Sequence, residues 1–400
     1  MIYLDWAATA PTAPEALPQD GTWHANPSSP HPCGRQAAAE LAAARERLAS
    51  TLGRKPAEIV LTSGATESNN LMLQSVLTLL HPERGLPRRD TLVIGAAEHD
   101  SVEGPATLLA RIGFRVLRAP VGRDGAVDVD RLRELLDERT YLVSVQTVNN
   151  ETGTIQPVAD AAGAVADAAR RTGTRTLFHT DAVQALGKMP LPLGPDVHAA
   201  SFSAHKVGGP RGVGALWVQT GAPVRFMQAG GEQEGGRRAG TENVDGAAGF
   251  AAAAGSAAAM LERNAAAAAD VMAGLIERLL SIPDVTLIPA DREPRDARFS
   301  PFILKLAVPG MPSEVTVRLL GDRGICVSPG SACATGSRKR LRVLEAMRVP
   351  PEQAAGAVRV SIGPQTTADE VGAFASTLED EIRAVTGRIT AVPAREVART

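Results

Sequence analysis

The chain has 400 residues, of which 44% are hydrophobic and 22% charged, and its formal net charge is −2. This length allows two or three domains with a large core, and the near-neutral charge argues against partners as highly charged as nucleic acids or anionic membranes. The three cysteines, Cys33, Cys326 and Cys333, are too few and too scattered for a disulfide framework or a zinc site. We therefore expect a cytoplasmic protein with free thiols, no bound metal, no direct nucleic-acid contact and no membrane attachment.

Strand-like and helix-like segments alternate through the first half of the chain. Apolar runs predict strands at 59–62, 92–95, 115–117, 142–148, 176–178, 197–202 and 213–218. The segments around them predict helices at 35–52, 63–80, 102–112, 129–138 and 157–171. Strands that alternate with helices of this length are typical of a mostly parallel sheet, so we predict an α/β fold here.

The pattern changes after a glycine-rich loop at 230–240. A long helical stretch is predicted at 244–280, followed by helices at 314–321, 341–348 and 367–385 and strands at 302–306, 325–327 and 358–362. This mixture is typical of a smaller α+β domain. We therefore divide the chain into a large domain at 15–255, a small domain made of 1–14 and 256–385, and a tail at 386–400.

Lys206 is the first candidate for chemistry. It follows the predicted strand 197–202 in the sequence Ser203-Ala204-His205-Lys206, before a segment rich in glycine and proline. Open α/β sheets bind ligands at the carboxyl ends of their strands, and a lysine there can carry pyridoxal phosphate as a Schiff base. A solvated surface lysine is the alternative, so the rest of the chain has to supply the other parts of a cofactor site.

Other polar residues also follow predicted strands. Gly64-Ala65-Thr66 begins a helix whose N–H groups could hold a phosphate, although an ordinary capped helix start gives the same pattern. Asp181 could pair with a pyridine nitrogen while Gln184 contacts the ring hydroxyl, and His99 and Asn150 follow two further strands. A solvated histidine and simple turn residues are the alternatives. Because each group follows a different strand, all would meet at one sheet edge, which predicts a pyridoxal phosphate site.

Two candidates lie in the second part of the chain. Cys333 ends the segment Ser328-Pro329-Gly330-Ser331-Ala332-Cys333, which predicts an exposed loop. A thiol there could act as a nucleophilic thiolate, or it could be an idle surface thiol. Arg359 is a charge inside the apolar strand 358–362, and such a charge needs a partner. That partner is either a substrate carboxylate or a carboxylate of the protein.

The ordered set of motifs resembles the group I cysteine desulfurases of the class V aminotransferase family over nearly the whole chain. The resemblance rests on Asn26-Pro27-Ser28-Ser29, Thr62-Ser63-Gly64-Ala65-Thr66-Glu67-Ser68-Asn69, Glu98-His99, Asn149-Asn150-Glu151, His179-Thr180-Asp181-Ala182-x-Gln184, Ser203-x-His205-Lys206, Arg238-Ala239-Gly240-Thr241-Glu242-Asn243, Gly330-Ser331-Ala332-Cys333 and Arg359-x-Ser361-x-Gly363. Any one of these motifs could occur by chance, whereas the ordered set is specific. The sequence around Cys333 is the one that marks group I.

The resemblance implies fold type I of the pyridoxal phosphate-dependent transferases, in a homodimer. It implies that L-cysteine is converted to L-alanine and that sulfur passes as a persulfide on Cys333 to an acceptor protein, such as an iron–sulfur cluster scaffold or a thiolation enzyme. Lys206, Cys333 and His99 would be catalytic, and Asn26 and Arg359 would bind the substrate. The cofactor would be bound by Ala65, Thr66, His99, Asn150, Asp181, Gln184, Ser203, His205 and Lys206, and by Thr241 from the neighbouring subunit.

Some positions depart from the family pattern. They include Trp6, Ala10, Gly235 and Pro329, and the segment 14–25 is shorter than in typical members. None of them removes a predicted catalytic residue, so they bear on the entrance of the site and on the acceptor. Two other functions stay open at this point: another class V pyridoxal phosphate enzyme in which Cys333 is incidental, and a non-catalytic scaffold of a sulfur pathway.

Overall fold

The computed structural model describes residues 1–17, 24–81, 83, 85–225, 228–308, 310–329 and 341–390, with side chains described as far as residue 385. The strands are β1 (Ile2–Tyr3), β2 (Ile59–Thr62), β3 (Thr91–Gly95), β4 (Arg115–Ala119), β5 (Thr140–Ser144), β6 (Leu177–Asp181), β7 (Ala199–Ser203), β8 (Gly214–Val218), β9 (Thr286–Leu287), β10 (Ile303–Ala307), β11 (Ile325–Cys326) and β12 (Ala357–Ser361). The helices are α1 (Pro32–Thr51), α2 (Ala65–Gln74), α3 (Asp100–Arg111), α4 (Val129–Leu135), α5 (Val158–Thr172), α6 (Gln233–Gly236), α7 (Val244–Ala259), α8 (Leu261–Leu280), α9 (Ser313–Asp322), α10 (Arg342–Ala346), α11 (Pro351–Ala355) and α12 (Ala368–Thr390).

A seven-stranded sheet forms the centre of the larger part of the molecule, in the order β2-β8-β7-β6-β5-β3-β4. β8 is antiparallel to both of its neighbours, and the remaining pairs are parallel. Every residue of β3, β5, β6 and β7 is buried, as expected for parallel strands covered on both faces by crossover helices. The mostly parallel sheet predicted from the apolar runs is therefore observed.

Two smaller sheets contain the strands of the last third of the chain. β12, β10 and β9 form an antiparallel sheet, and β1 pairs with β11 in parallel. The first residues of the chain thus join the part that contains residues 286–361. The division of the chain at residue 255, a position that lies within α7, stays a prediction.

The helical stretch predicted at 244–280 is two helices, α7 and α8, which meet at Met260 at an angle of 69°. The change of direction follows from different packing partners, since α7 packs on α1 whereas α8 packs on α12. Alanine favours helix on both sides of the bend, so the sequence pattern alone did not show it. Within the described ranges, no single helix is long and apolar enough to span a membrane, and only the bent α7–α8 pair has the required length and composition.

Gly214 lets the sheet approach the turn that precedes α2. A Cβ at this first residue of β8 would lie 2.6 Å from Gly64 Cα and 2.6 Å from the main-chain oxygen of Phe202. Both obstacles are backbone atoms, which cannot rotate away as a flexible side chain can. The close approach therefore fixes the position of the Gly64 turn against β7 and β8.

We expect Gly214→Ala to lower the free energy of unfolding by about 1–3 kcal/mol, because the added methyl group has no room. Gly274 is the matched control, since it is exposed in α8 and a Cβ there would have nothing within 4 Å. Gly274→Ala should stabilise the protein by about 0.5–1 kcal/mol, as expected in the interior of a helix. Urea unfolding measures both variants, and equal stability of Gly214→Ala and the unaltered protein would contradict the close approach.

Candidate active site

A cavity of about 460 Å³ lies at the carboxyl ends of β2, β3, β5, β6 and β7. The predicted site residues that line it are Ala65, Thr66, His99, Asn150, Asp181, Gln184, Ser203, His205, Lys206 and Arg359. Asn26 and Thr241 are exposed and do not line this cavity. Cys333 lies outside the described residues. The order of the parallel strands therefore brings most of the predicted side chains to one place.

Lys206 lies in a single 3-10 turn, Ala204–Lys206, directly after β7. Its Nζ donates hydrogen bonds to the main-chain oxygens of Ala7 and Ala8, both at 2.7 Å. These two residues follow β1 and line the cavity as well. The segment at the start of the chain thus forms one wall of the cavity and holds the amine of Lys206 in place.

Asp181 is the last residue of β6 and only 7% of its surface is exposed. Its Oδ2 accepts a hydrogen bond from Asn69 Nδ2 at 2.7 Å, and its Oδ1 accepts one from the main-chain N–H of Val183 at 3.1 Å. Such donors are needed because a buried carboxylate without hydrogen bonds is strongly unfavourable. Since Asn69 lies in α2, this helix contributes both its N-terminus and an amide to the site.

His99 is connected to Asp181 through two side chains. Asn69 Nδ2 also donates to Ser101 Oγ at 2.8 Å, and this oxygen lies 2.8 Å from His99 Nδ1. The main-chain N–H of Ser101 donates to the same Nδ1 at 3.1 Å, so a neutral His99 carries its proton on Nε2. Burial lowers the pKa of His99 against the opposing effect of Asp181, so the neutral form is favoured at neutral pH.

A cradle for an anion lies between α2 and β7. Gly64, at φ +151°, leads into α2, and the first N–H groups of a helix have no acceptor within the helix. A Cβ at Gly64 would lie 3.8 Å from Ser203 Oγ, so the missing side chain leaves room between them. These N–H groups and the helix dipole favour a bound anion such as a phosphate.

Gln184 is held in one orientation by two neighbours. Its Nε2 donates to the main-chain oxygen of Ala7 at 2.9 Å, and its Oε1 accepts from Lys188 Nζ at 2.8 Å. Burial, together with the charges of Lys206 and Arg359, lowers the pKa of Lys188 to about 7. The amine of Lys188 is therefore connected to Lys206 through Gln184 and the carbonyl of Ala7, which accepts from both Gln184 and Lys206.

Arg359 lies on β12, in the smaller part of the molecule, with 2% of its surface exposed. Its Nη2 donates to Asp5 Oδ1 at 2.6 Å, and its Nη1 donates to the main-chain oxygen of Asn150 at 2.9 Å. Its Nε is buried and has no hydrogen-bond acceptor among the residues that the structure describes. A protein carboxylate was one of the two partners predicted for Arg359, and Asp5 is that carboxylate. Arg359 also lines the cavity, where a substrate carboxylate could reach it.

Four residues of the site are not singled out by the sequence: Thr9, Asn69, Ser101 and Lys188. Asn69 ends one of the quoted motifs without a predicted role, and Ser101 stands two residues after His99, but their contact joins α2 to α3 across 32 positions of the chain. Thr9 Oγ1 lies 3.1 Å from His205 Nδ1, across 196 positions. The only signal for Lys188 is its spacing of four residues from Gln184.

Comparison with known proteins agrees with this geometry. The family model described as Aminotransferase class-V matches residues 2–374. The chain belongs to the class-V aminotransferase family. A cysteine desulfurase of Cereibacter sphaeroides is 38% identical over 96% of this chain and 97% of its own length. Cysteine desulfurase IscS of Dictyoglomus turgidum is 34% identical over 94% and 93%, respectively. A solved structure of a NifS-like protein has a TM-score of 0.85 and 34% identity, and the match covers 96% of this chain and 99% of that one.

The predicted family, fold class and cofactor are thereby confirmed, since members of this family depend on pyridoxal phosphate. The residues present fit that cofactor. The cradle beside Gly64, which a Cβ would narrow, suits its phosphate. The buried carboxylate of Asp181 suits a protonated pyridine nitrogen, and the amine of Lys206 suits its aldehyde carbon.

We expect Asn69→Ala to lower the free energy of unfolding by about 1–3 kcal/mol, because it removes a donor from the buried carboxylate of Asp181. Asn70→Ala is the matched control, since the neighbouring amide is less buried and donates to the main-chain oxygen of Thr66. Its effect should stay within about 0.5 kcal/mol. Urea unfolding measures both variants, and equal stabilities would contradict a supporting role for Asn69.

The stability of the protein should also depend on the protonation of His205. Burial, with the charges of Lys206 and Arg211, lowers its pKa from 6.5 to about 4. The unfolded chain therefore binds this proton first as the pH falls, and the free energy of unfolding decreases between about pH 6.5 and pH 4.

His205→Asn should make this decrease shallower, as measured by urea unfolding at several pH values. Part of the slope should remain, because burial lowers the pKa of His179 to about 3. His81→Asn, at an exposed histidine, is the control. The same slope in His205→Asn and in the unaltered protein would show that His205 does not contribute.

Proposed function

We propose that this protein is a pyridoxal phosphate-dependent cysteine desulfurase, which converts L-cysteine to L-alanine and takes the sulfur as a persulfide on Cys333. The observation that carries the proposal is the convergence of Lys206, Asp181 and His99 on one cavity, in a chain that also contains the Gly-Ser-Ala-Cys333 sequence. Relatives named cysteine desulfurase, at 38% and 34% identity over nearly the whole chain, support this reaction.

Each part of the cofactor has a group to hold it. Lys206 would bind it covalently through Nζ, and Asp181 would pair with its ring nitrogen. The N–H groups at Ala65 and Thr66 would hold the phosphate. The remaining contacts would come from Ser203 and His205 at the phosphate and from Asn150 and Gln184 near the ring hydroxyl. When bound, pyridoxal phosphate supplies an electron sink that stabilises negative charge at the substrate's Cα.

Proton transfer would depend on Lys206 and His99. The amine of Lys206 would accept the proton from Cα, and the carbonyls of Ala7 and Ala8 keep that amine at the cavity wall. His99 would donate a hydrogen bond to the reacting groups through Nε2–H, because its Nδ1 accepts the N–H of Ser101. Both groups are thus restricted in position before a substrate arrives.

The substrate carboxylate would be bound by Arg359, with Asn26 as a second group. The guanidinium is already paired with Asp5, so it offers the substrate its remaining hydrogen-bonding capacity. The buried Nε of Arg359, which has no acceptor among the described residues, supports this role. A positive group inside the cavity would also orient the amino acid so that its Cα faces Lys206.

The sulfur step balances without an added oxidant. The thiolate of Cys333 forms a bond to the sulfur of L-cysteine, and the Cβ–S bond breaks. The electron pair of that bond stays with carbon, which takes up a proton, so that alanine leaves. Cys333 then holds the extra sulfur and passes it to a thiol of the acceptor protein.

We also propose that the enzyme is a homodimer in which Thr241 of one chain reaches the cofactor phosphate of the other. The exposure of Thr241, outside the cavity of its own chain, supports this arrangement.

The acceptor of the sulfur would be a protein such as an iron–sulfur cluster scaffold or a thiolation enzyme. A reactive thiol at Cys333 supports a reducing, cytoplasmic compartment. The pairing of β1 with β11 supports a small domain that includes residues 1–14.

We expect Cys333→Ser to lower the rate of alanine formation from L-cysteine by more than about 100-fold, because no thiolate remains to accept sulfur. The variant should keep the visible absorbance of the bound cofactor, which Lys206→Ala should lose. Cys33→Ser, at an exposed cysteine, is the matched control and should keep the full rate.

The measurement is alanine release, together with persulfide detection by mass spectrometry. Full activity of Cys333→Ser would overturn its role and favour another class V enzyme in which this cysteine is incidental. Absence of a visible band in the unaltered protein supplied with pyridoxal phosphate would overturn the enzymatic proposal itself.

A further inference from the structure

Arg342, the first residue of α10, contacts the loop that leads into His99. Its Nη1 donates to the main-chain oxygen of Ala96 at 3.0 Å, and its Nη2 donates to the main-chain oxygen of Glu98. Nη2 also lies 3.4 Å from Asp100 Oδ1. One guanidinium from the last third of the chain therefore contacts residues on both sides of His99.

The same loop is held from its other side by residues that follow β5. The main-chain oxygen of Ala97 accepts from Gln146 Nε2 at 2.7 Å and from Asn149 Nδ2 at 3.0 Å. The main-chain N–H of Gln146 donates to Glu98 Oε1 at 2.8 Å. Each carbonyl of residues 96–98 is thus bound by a side chain from elsewhere in the chain, and Arg342 binds two of the three.

The contact suits arginine in particular. The two carbonyls are two residues apart, and the planar guanidinium donates to them from two separate nitrogens in a fixed fork, whereas the three donors of an ammonium group share one nitrogen. The side chain of Arg342 is 24% exposed, so it is partly shielded from water. Without it, the oxygens of Ala96 and Glu98 would lose these donors.

Arg342 also lies close in sequence to Cys333, the residue proposed to take the sulfur from L-cysteine. It comes nine residues after Cys333. On the other side of that cysteine, Ser328 and Arg359 exchange two main-chain hydrogen bonds, at 3.2 and 2.7 Å. The described residues that flank Cys333 are therefore bonded to two parts of the cavity wall, the strand of Arg359 and the loop of His99.

We propose that Arg342 is a positioning residue that sets the place of His99, from a point nine residues after Cys333 in the sequence. The inference rests on the proposed function for the roles of His99 and Cys333. Arg342 itself does not line the cavity, so it acts through the backbone of the loop rather than on the substrate. A displaced His99 would change both the environment of the bound cofactor and the rate of catalysis.

The test compares Arg342→Ala and Arg342→Lys with Arg323→Ala in the cofactor-loaded protein. Arg323 is the matched control, because it forms an ion pair with Glu381 at 2.9 Å and is 62% exposed. Arg342→Ala should lower kcat for alanine formation by about 10- to 100-fold, since small displacements of a catalytic group have effects of this size. It should also shift the visible absorbance maximum of the bound cofactor. Arg342→Lys should recover only part of both, and Arg323→Ala should change neither.

A kcat for Arg342→Ala within about twofold of the unaltered enzyme would overturn the proposal. So would a loss of kcat with an unchanged absorbance maximum, since His99 would then be in place. Full recovery by lysine would show that the two separate donors of the guanidinium are not needed and would overturn the argument for an arginine at this position. If the unaltered protein forms no alanine from L-cysteine, the proposed function fails, whereas the absorbance comparison still tests Arg342.

Discussion

The hydrogen bonding of the buried Asp181 carboxylate is the interaction on which the rest of the site depends. A negative charge at the end of a buried strand is tolerated only where donors surround it, and Asn69 and the N–H of Val183 are such donors. Asn69 also donates to Ser101, and Ser101 contacts His99. The donor that Asp181 requires therefore also helps to orient His99. The sheet brings the groups to one edge, and this hydrogen-bonded series decides how they face one another.

Much of the fold follows from local sequence. The buried parallel strand β3 contains the continuous apolar run 92–95, and polar residues after such runs fall at a common edge by topology alone. This explains why Lys206, Asp181 and His99 could be assigned to one site. The pairings of Asp181 with Asn69 and of Arg359 with Asp5 span 112 and 354 positions, respectively. No local pattern indicates such pairings, because they depend on how distant elements pack.

The bend at Met260 shows the same limit in a different form. Alanine is equally suitable on both sides of it, so helix propensity is uniform while the packing partners change from α1 to α12. The packing of distant elements also decides which of two predicted partners a polar side chain has. Arg359 pairs with a protein carboxylate and also lines the cavity, so the two alternatives considered for it are not exclusive.

The wall formed by the start of the chain has a consequence for biosynthesis. Ala7 donates its N–H to Ser361 Oγ, and Leu4 accepts the N–H of Ser361, so β12 holds this segment beside Lys206. On the ribosome, the first residues emerge long before β12 does. The sheet can form early, whereas the contacts that hold Ala7 and Ala8 beside Lys206 are complete only after β12 has been made. A nascent or truncated chain that ends before β12 would thus contain the sheet but lack a completed active site.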